Sequence, residues 1–173
     1  MTMIIPIVDE NDKFLYYKDS GERDLHKEIT RGSALWIINE KKEILVAKRS
    51  KNKLHFPNVW GTSVAGSLEK GESYEDNAIK EAKEEIGVNL DKITLGPKKR
   101  DADDHEYFAQ YFYAKISSDT KFILQESEVD EVCWISLEKL KGWYLKNPEE
   151  FLPTFNNSLK IVENHENQNK KIT

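Results

Sequence analysis

The chain has little cysteine and no long apolar run. Its 173 residues include one cysteine, Cys133, which excludes an internal disulfide framework. No apolar run approaches the roughly 18–20 residues that a membrane-spanning helix needs. The N-terminus, MTMIIPIVDE, lacks the basic start and the longer apolar stretch of a signal peptide. We therefore expect a protein of a reducing compartment such as the cytoplasm, with no membrane partner.

The chain also lacks a positive net charge. Its 31 acidic and 26 basic residues leave a net charge of −5, and a surface of that sign has no general attraction for nucleic-acid phosphates. Small phosphorylated ligands remain compatible with this charge, because a metal ion and a few Lys or Arg side chains can reverse the local field. We therefore expect a small-molecule partner and no nucleic acid.

The apolar runs predict a mixture of strands and helices. Strands are expected in an N-terminal hairpin over residues 3–17, in a second hairpin over 34–47, and at 60–65, 106–116 and 129–135. Helices are expected at 73–86, 137–143 and 153–164, the first between an N-cap serine and a glycine stop. Hairpins mixed with helices favour an α+β domain. We expect a single domain over 1–165 and a disordered tail over 166–173.

Residues 66–88, GSLEKGESYEDNAIKEAKEEIGV, hold the densest group of acids. At about 100° per residue, Glu81, Glu84 and Glu85 fall within one arc of roughly 100° on the predicted helix. Carboxylates packed so closely repel each other, and a hard divalent cation relieves the repulsion because it prefers carboxylate oxygens. The alternative interpretation is a charged helix face exposed to solvent.

The spacing of these residues resembles the Nudix motif, G-x5-E-x7-R-E-U-x-E-E-x-G-U, where U is a bulky apolar residue. Two positions depart from it, since Lys80 stands for the usual Arg and Ala82 is small for its place. The matching positions are Gly66, Glu72, Glu81, Glu84, Glu85, Gly87 and Val88. The resemblance implies an α/β/α sandwich around a mixed sheet and a metal-dependent hydrolase of diphosphate compounds.

The resemblance also implies roles for the motif residues. Glu81, Glu84 and Glu85 would hold Mg²⁺, or alternatively Mn²⁺, and the carbonyl of Ala65 or Gly66 would complete the ligand shell. Glu81, Glu84 or a later acid would accept the proton of the attacking water. Glu72 and Lys80 would orient the motif. Lys80 keeps the charge of the usual Arg but lacks its planar fork, so we expect weaker orientation.

Three residues outside the motif are further candidates. Family members commonly add an acid shortly before a strand that contains a tryptophan, and here Glu128 precedes Trp134 by six residues. Arg49 and Lys53 lie in the basic run KRSKNKLHFPNVW, and such cations can contact substrate phosphates. For all three, an ordinary position on a solvated surface is the alternative.

Residues 5–140 resemble the branch that includes type I isopentenyl-diphosphate isomerases. Those enzymes carry a cysteine and a histidine just before the acidic helix, where this chain has Ala65 and Ser67. Alanine cannot transfer a proton, so we favour hydrolysis of a phosphoanhydride in a nucleoside di- or triphosphate or another diphosphate-linked small molecule. Isomerase-like chemistry and a non-catalytic nucleotide-sensing module are the alternatives, and a homodimer is possible because relatives commonly form dimers.

Overall fold

The computed structural model describes residues 3–170. No helix in that range is long and apolar enough to cross a membrane. Its strands and helices, in chain order, are β1 (Ile4–Val8), β2 (Phe14–Asp19), β3 (Thr30–Ile38), β4 (Glu43–Arg49), β5 (Trp60–Gly61), β6 (Val64–Ser67), α1 (Tyr74–Ile86), β7 (Thr94–Ala102), β8 (Glu106–Lys115), β9 (Val129–Ser136), α2 (Leu137–Lys146) and α3 (Phe155–Lys170).

Strand β3 is the centre of a mixed sheet formed by β3 to β9. It pairs in parallel with β8 over its full length, from Thr30 opposite Tyr107 to Ile38 opposite Lys115. The other pairs of the sheet are antiparallel: β3 with β4 and β6, β4 with β5 and β9, and β7 with β8. Strands β1 and β2 form a separate antiparallel hairpin, as the sequence predicts.

The side chains of β3 alternate between two apolar layers, because successive residues of a strand face opposite sides of a sheet. Leu35 and Ile37 pack with the apolar face of α1. Trp36 and Ile38 pack with α2 and α3 on the other side. Helices therefore cover both faces of the sheet, and the predicted α+β class with an α/β/α sandwich is confirmed.

Two differences from the predicted strands have physical causes. Strand β7 was not predicted because its sequence, TLGPKKRDA, is polar and largely exposed at the edge of the sheet. Its pairing with β8 is interrupted between Leu95 and Lys98, where Pro97 has no N–H to donate. The strand predicted at 60–65 is divided into β5 and β6, which pair with β4 and β3 respectively.

Helix α3 corrects the predicted tail, because it continues to Lys170 and so includes residues 166–170. The imidazole of His165 stacks on Tyr113 of β8, with ring centroids 3.6 Å apart, and Glu166 is buried. The prediction was wrong because residues 166–170 are polar, and a polar sequence has no apolar stripe that would indicate a helix packed on the sheet. The rest of the predicted tail, residues 171–173, lies outside the described residues.

The hairpin of β1 and β2 is fixed to the domain through Asp12 in its turn. Asp12 has a positive φ of 61°, which aspartate tolerates better than most residues. Its carboxylate accepts hydrogen bonds from Arg31 of β3, Lys98 of β7 and Tyr74 of α1, at 2.5–3.1 Å. Burial acts to raise the pKa of Asp12, but the bonds from Lys98 and Arg31 outweigh it and hold that pKa below its usual range.

We predict that Asp12→Asn loosens the hairpin and lowers stability by about 1–2 kcal/mol, because it leaves Arg31 and Lys98 without a charged partner. Asparagine keeps the size of aspartate and its tolerance of positive φ. Thermal denaturation is the measurement, and the midpoint should fall by about 2–4 °C for each 1 kcal/mol. Glu10→Gln, an exposed change in the same turn, is the control. Equal midpoints for the two variants would contradict this role of Asp12.

Candidate active site

Helix α1 is fixed at both ends by local structure. Ser73 is its N-cap, and a reciprocal capping box with Asp76 confirms the predicted start. Gly87 ends the helix with a φ of 72°. A Cβ on Gly87 would lie 2.8 Å from the Cβ of Ile123, so the glycine also permits close approach of the following segment. The acids between these caps therefore have defined positions.

The acids of α1 differ strongly in burial. Glu85 is only 8% exposed, Glu81 is half-buried, and Glu84 is exposed. Burial, with the nearby charges of Glu81 and Glu128, raises the pKa of Glu85 to about 8, although a backbone hydrogen bond with Ala65 acts in the opposite direction. Burial raises the pKa of Glu81 to about 7, opposed by Lys80 and reinforced by other carboxylates. Glu81 and Glu85 thus share a poorly solvated space, and Glu84 lies at its exposed edge.

Gly66 on β6 makes room for Glu81. A Cβ at this position would lie 2.4 Å from the Cδ of the Glu81 carboxylate, which is far inside van der Waals contact. Gly66 and its neighbour Ala65 both line the cavity described below. The carbonyl oxygen of Gly66 lies against Gly32, 3.0 Å from the position that a Cβ of Gly32 would take. Metal binding by either carbonyl stays a prediction.

Asn77, which the sequence interpretation did not include, joins the acids to the sheet. Its side chain is fully buried. The amide nitrogen donates to Glu72 Oε2 at 3.0 Å and lies 3.3 Å from Glu81 Oε1. It also donates to the carbonyl of Ser67, while the amide oxygen accepts a bond from the Ser33 hydroxyl. The sequence offers only an asparagine among the apolar positions of a helix, which indicates a buried polar side chain but does not identify its hydrogen-bond partners.

Lys80 contacts three acids at the start of the motif. Its ammonium lies 2.7 Å from Glu72 and 2.8 Å from Glu69, and 3.6 Å from Glu81. Burial acts to lower the pKa of Lys80, but the bonds that its ammonium donates to Glu69 and Glu72 raise it above the usual value. Glu72 also accepts the backbone N–H of Glu69 at 2.9 Å. Lys80 and Glu72 therefore connect the loop before α1 to the helix.

The segment before β9 brings Glu128 to the acids of α1. Backbone N–H groups of Ile123 and Gln125 donate to the carbonyls of Ile86 and Glu85 at 3.1 and 2.9 Å, which ties this segment to the end of the helix. The Glu128 carboxylate forms an ion pair with the Lys53 ammonium. The structure thus places two of the residues proposed outside the motif beside its acids.

Arg49 has a different arrangement from the one expected of a residue that only contacts phosphates. Its Nε donates to the carbonyl of Phe56 at 3.0 Å, and its Nη2 donates to the carbonyl of His55 at 2.9 Å. Two of its five N–H donors are therefore used to hold the following loop. Arg49 also lines the cavity, so a phosphate contact through the other donors stays a prediction.

The acids line one side of a cavity of about 740 Å³, a size typical of small-molecule sites. Tyr107, Tyr111 and Phe155 contribute an aromatic wall. The turn between β7 and β8 contributes Asp103, Asp104 and His105, whose ligand-type atoms lie within 4.8 Å of one another. The cavity therefore combines a carboxylate-rich side with aromatic and charged walls.

The chemistry of the acidic side fits a hard divalent cation. Glu81, Glu84, Glu85 and Glu128 all line the cavity and offer only carboxylate oxygens. Burial and the neighbouring carboxylates raise the pKa values of Glu81 and Glu85, so a nearby cation would favour their ionised forms. Mg²⁺ and Mn²⁺ prefer such oxygen ligands, whereas zinc sites generally include histidine or cysteine.

The comparison with known families decides the assignment. Residues 28–155 match the model of the Nudix domain. The chain belongs to the Nudix family of hydrolases. A Listeria innocua protein described as an uncharacterized Nudix hydrolase is 35% identical over 69% of both chains. Nudix hydrolases act on small diphosphate substrates and generally use divalent metal ions.

Other relatives agree with the predicted branch of the Nudix family. A Methanosarcina mazei prenyl-diphosphate phosphatase is 28% identical and is matched over 87% of this chain and 89% of its own. A Salmonella arizonae isopentenyl-diphosphate isomerase is 31% identical over about half of both chains. A crystal structure from Deinococcus radiodurans has the same fold, with a TM-score of 0.76, 20% identity, and coverage of 91% and 97%.

The buried acids predict an unusual dependence of stability on pH. Their folded-state pKa values of about 7 and 8 exceed the ordinary value of 4.5. The folded protein therefore retains protons that the unfolded chain has released, so the free energy of unfolding should fall as pH rises from about 4.5 to 8. Glu85→Gln removes the larger part of this titration and leaves that of Glu81. Without metal at pH 8.5, the variant should melt several degrees above the parent, because each unit of the raised pKa corresponds to about 1.4 kcal/mol and each 1 kcal/mol to about 2–4 °C.

The same experiment has two internal checks. At pH 5 the parent and Glu85→Gln should melt at similar temperatures, because Glu85 is protonated in the folded parent. Glu75→Gln, an exposed change in the first turn of α1, should leave the pH profile unchanged. A stability that rises between pH 5 and 8.5 in the metal-free parent would show that these acids are not buried as described.

Proposed function

We propose that this Nudix hydrolase uses a divalent metal ion, Mg²⁺ in the first instance and Mn²⁺ as the alternative, to cleave a phosphoanhydride bond in a small diphosphate compound. The observation that carries the proposal is the meeting of Glu81, Glu84, Glu85 and Glu128 on one side of a cavity of small-molecule size. Lys53 adds a cation beside these acids. This arrangement suits a diphosphate, whose charge needs both a metal and a local cation.

The proposed roles follow the positions of the side chains. Glu81, Glu84 and Glu85 supply oxygen ligands, and a carbonyl of Ala65 or Gly66 completes the set. A divalent cation held there supplies charge neutralisation for the diphosphate and makes a water easier to deprotonate. Glu81, Glu84 or Glu128 then accepts the proton of the attacking water.

Four further residues support this site in the proposal. Lys80 and Glu72 orient the start of α1 through the contacts described above. Lys53 contacts the substrate phosphates, because a flexible ammonium can move from a carboxylate to a phosphate oxygen over a short distance. Arg49 supports the same contact by holding the loop that carries Lys53.

The substrate is a nucleoside di- or triphosphate or another diphosphate-linked small molecule. The name of the Methanosarcina mazei relative adds prenyl diphosphates to the compounds to test. The cavity offers an aromatic wall, which suits a base, and also apolar area, which suits a prenyl chain. A panel of nucleotides and prenyl diphosphates with Mg²⁺, with phosphate and organic products resolved, is the direct test.

Two alternatives are less well supported by the site. Isomerase-like chemistry needs a proton-transfer group before α1, and Ala65 and Ser67 occupy the two relevant positions. A sensing module without catalysis would not need four acids gathered at one cavity, two of them buried at the expense of their ionisation. Binding of a nucleotide with Mg²⁺ but without any product would favour the sensing module.

Location and assembly complete the proposal. A single cysteine suits a reducing compartment such as the cytoplasm. The net charge of −5 argues against a nucleic-acid partner. We also propose a homodimer, as is common among relatives of this branch, and light scattering of the purified protein measures its mass directly.

We predict that Glu81→Gln and Glu85→Gln each reduce turnover of the best panel compound by at least about 100-fold. Each change removes one anionic ligand from the site while preserving side-chain size, and such losses in metal affinity or activity are commonly 10- to 100-fold even for supporting groups. Steady-state kinetics at saturating Mg²⁺ is the measurement, with far-UV circular dichroism as the check on folding.

The control is again Glu75→Gln, which changes an exposed acid of the same helix and should retain the parent rate. Near-parental activity of both Glu81→Gln and Glu85→Gln would reject the proposed metal site. Loss of activity in the control would point instead to a general effect of charge on α1.

A further inference from the structure

The loop between β4 and β5, residues 50–59, here called the bridging loop, connects the two charged sides of the cavity. At one point Lys53 forms an ion pair with Glu128, beside the acids of α1. Two residues later, His55 Nδ1 lies 2.5 Å from Asp104 Oδ2, in the turn between β7 and β8. Glu128 and Asp104 both line the cavity, so the loop spans it from the acidic side to that turn.

The base and the tip of the bridging loop are held in different ways. At the base, Ser50 donates from its backbone N–H to the carbonyl of Glu128 at 2.9 Å and from its hydroxyl to the carbonyl of Glu126 at 2.7 Å. At the tip, Leu54 is 89% exposed, so apolar burial contributes little there. The tip is held instead by the Lys53–Glu128 ion pair, by the approach of His55 to Asp104, and by the backbone hydrogen bond from the Lys53 N–H to the Ser50 carbonyl.

The backbone after the tip adopts a conformation that needs support. Phe56 has a φ of 50° and Asn58 a φ of 60°, a region that bulky residues rarely occupy. Arg49 stabilises it by donating to the carbonyls of His55 and Phe56. Because both carbonyls flank the Phe56 peptide, Arg49 also restricts the direction in which His55 extends.

The Asp104 carboxylate is oriented by contacts within its own turn. Its Oδ1 lies 2.7 Å from His105 Nδ1, and His105 Nε2 lies 3.3 Å from the guanidinium of Arg23. Asp103 Oδ1 lies 3.3 Å from His105 Nδ1. One carboxylate oxygen of Asp104 is thus engaged with its own turn, and the other is directed to the bridging loop.

We propose that His55 and Asp104 form a clasp that positions Lys53 for the diphosphate of the substrate. The inference rests on the proposed function in one respect only, namely that Lys53 contacts the substrate. A metal ion held by Glu81, Glu84 and Glu85 would place positive charge close to Glu128 and so would weaken the ion pair between Glu128 and Lys53. The clasp then keeps the bridging loop across the cavity, so that Lys53 stays within reach of a phosphate. His55 and Asp104 are positioning residues, because they act through Lys53.

The first test measures the loop without any substrate. Trypsin cleaves after Lys51 and Lys53, and mass spectrometry gives the rate of cleavage at these two bonds. Asp104→Asn and His55→Gln should each increase that rate by about two- to fivefold, the range for a weak contact between half-exposed polar side chains. The increase should be larger with Mg²⁺ present than without it, since Lys53 is then held less strongly by Glu128.

The matched control is Glu106→Gln, which lies on the same β7–β8 hairpin and breaks an exposed pair with Arg100. It should leave cleavage in the bridging loop at the parental rate. The single variants His55→Asp and Asp104→His should each be cleaved faster in the bridging loop. The double variant that carries both changes should return to a cleavage rate near that of the parent. Equal cleavage of Asp104→Asn and Glu106→Gln, or no recovery in the double variant, would overturn the clasp.

The second test separates positioning from a merely structural role. On the best panel compound, Asp104→Asn and His55→Gln should raise KM by about two- to fivefold and leave kcat within about twofold, because the metal-binding acids are untouched. Binding of inorganic pyrophosphate with Mg²⁺, measured by calorimetry, should weaken by the same factor. Faster cleavage of the loop without either change would reject the link to Lys53.

These measurements distinguish failure of the clasp from failure of the proposed function. If no panel compound is turned over, the cleavage rates and the affinity for inorganic pyrophosphate still decide whether His55 and Asp104 position Lys53. If turnover is found and both readouts equal those of Glu106→Gln, the clasp is wrong while the hydrolase assignment stands.

Discussion

Two glutamates of α1 are packed where water cannot fully solvate them and where their charges oppose each other. This repulsion is the constraint on which the other features of the site depend. Gly66 has no side chain because the Glu81 carboxylate occupies the space, and Asn77 is buried because it must reach Glu72 and Glu81. Strain of this kind lowers the stability of a fold and is usually retained only where it serves function.

The surrounding cations explain why the site tolerates this repulsion. Lys80 lies against acids at the start of the motif, and Lys53 lies against Glu128, outside the motif. Neither ammonium contacts Glu85, the most deeply buried acid, and its pKa is raised furthest. The protein's own cations therefore lie beside the outer acids and away from Glu85, which in the proposed function would bind the external cation.

The predictable features were those that local patterns encode. The spacing of Glu81, Glu84 and Glu85 predicted a helix with one acidic face, and the apolar run at residues 34–38 predicted a strand of the second hairpin. Contacts between distant segments were not predictable, because no local pattern records them: Asn77 with Ser33 and Ser67, Arg49 with the bridging loop, and His165 with Tyr113. Strand β7 was not predicted for a related reason: it is a polar edge strand, and it is held by pairing with β8 rather than by a local apolar pattern.

The parallel pairing of β3 with β8 has a consequence for how the chain folds. The two strands are far apart in sequence, and α1 lies between them. Contacts between distant residues close large loops, and domains that depend on them fold in milliseconds to seconds rather than microseconds. The acids of α1 are thus synthesised and hydrated well before the sheet encloses them. Their repulsion arises only late in folding, so an available cation would speed the final closure more than the early steps.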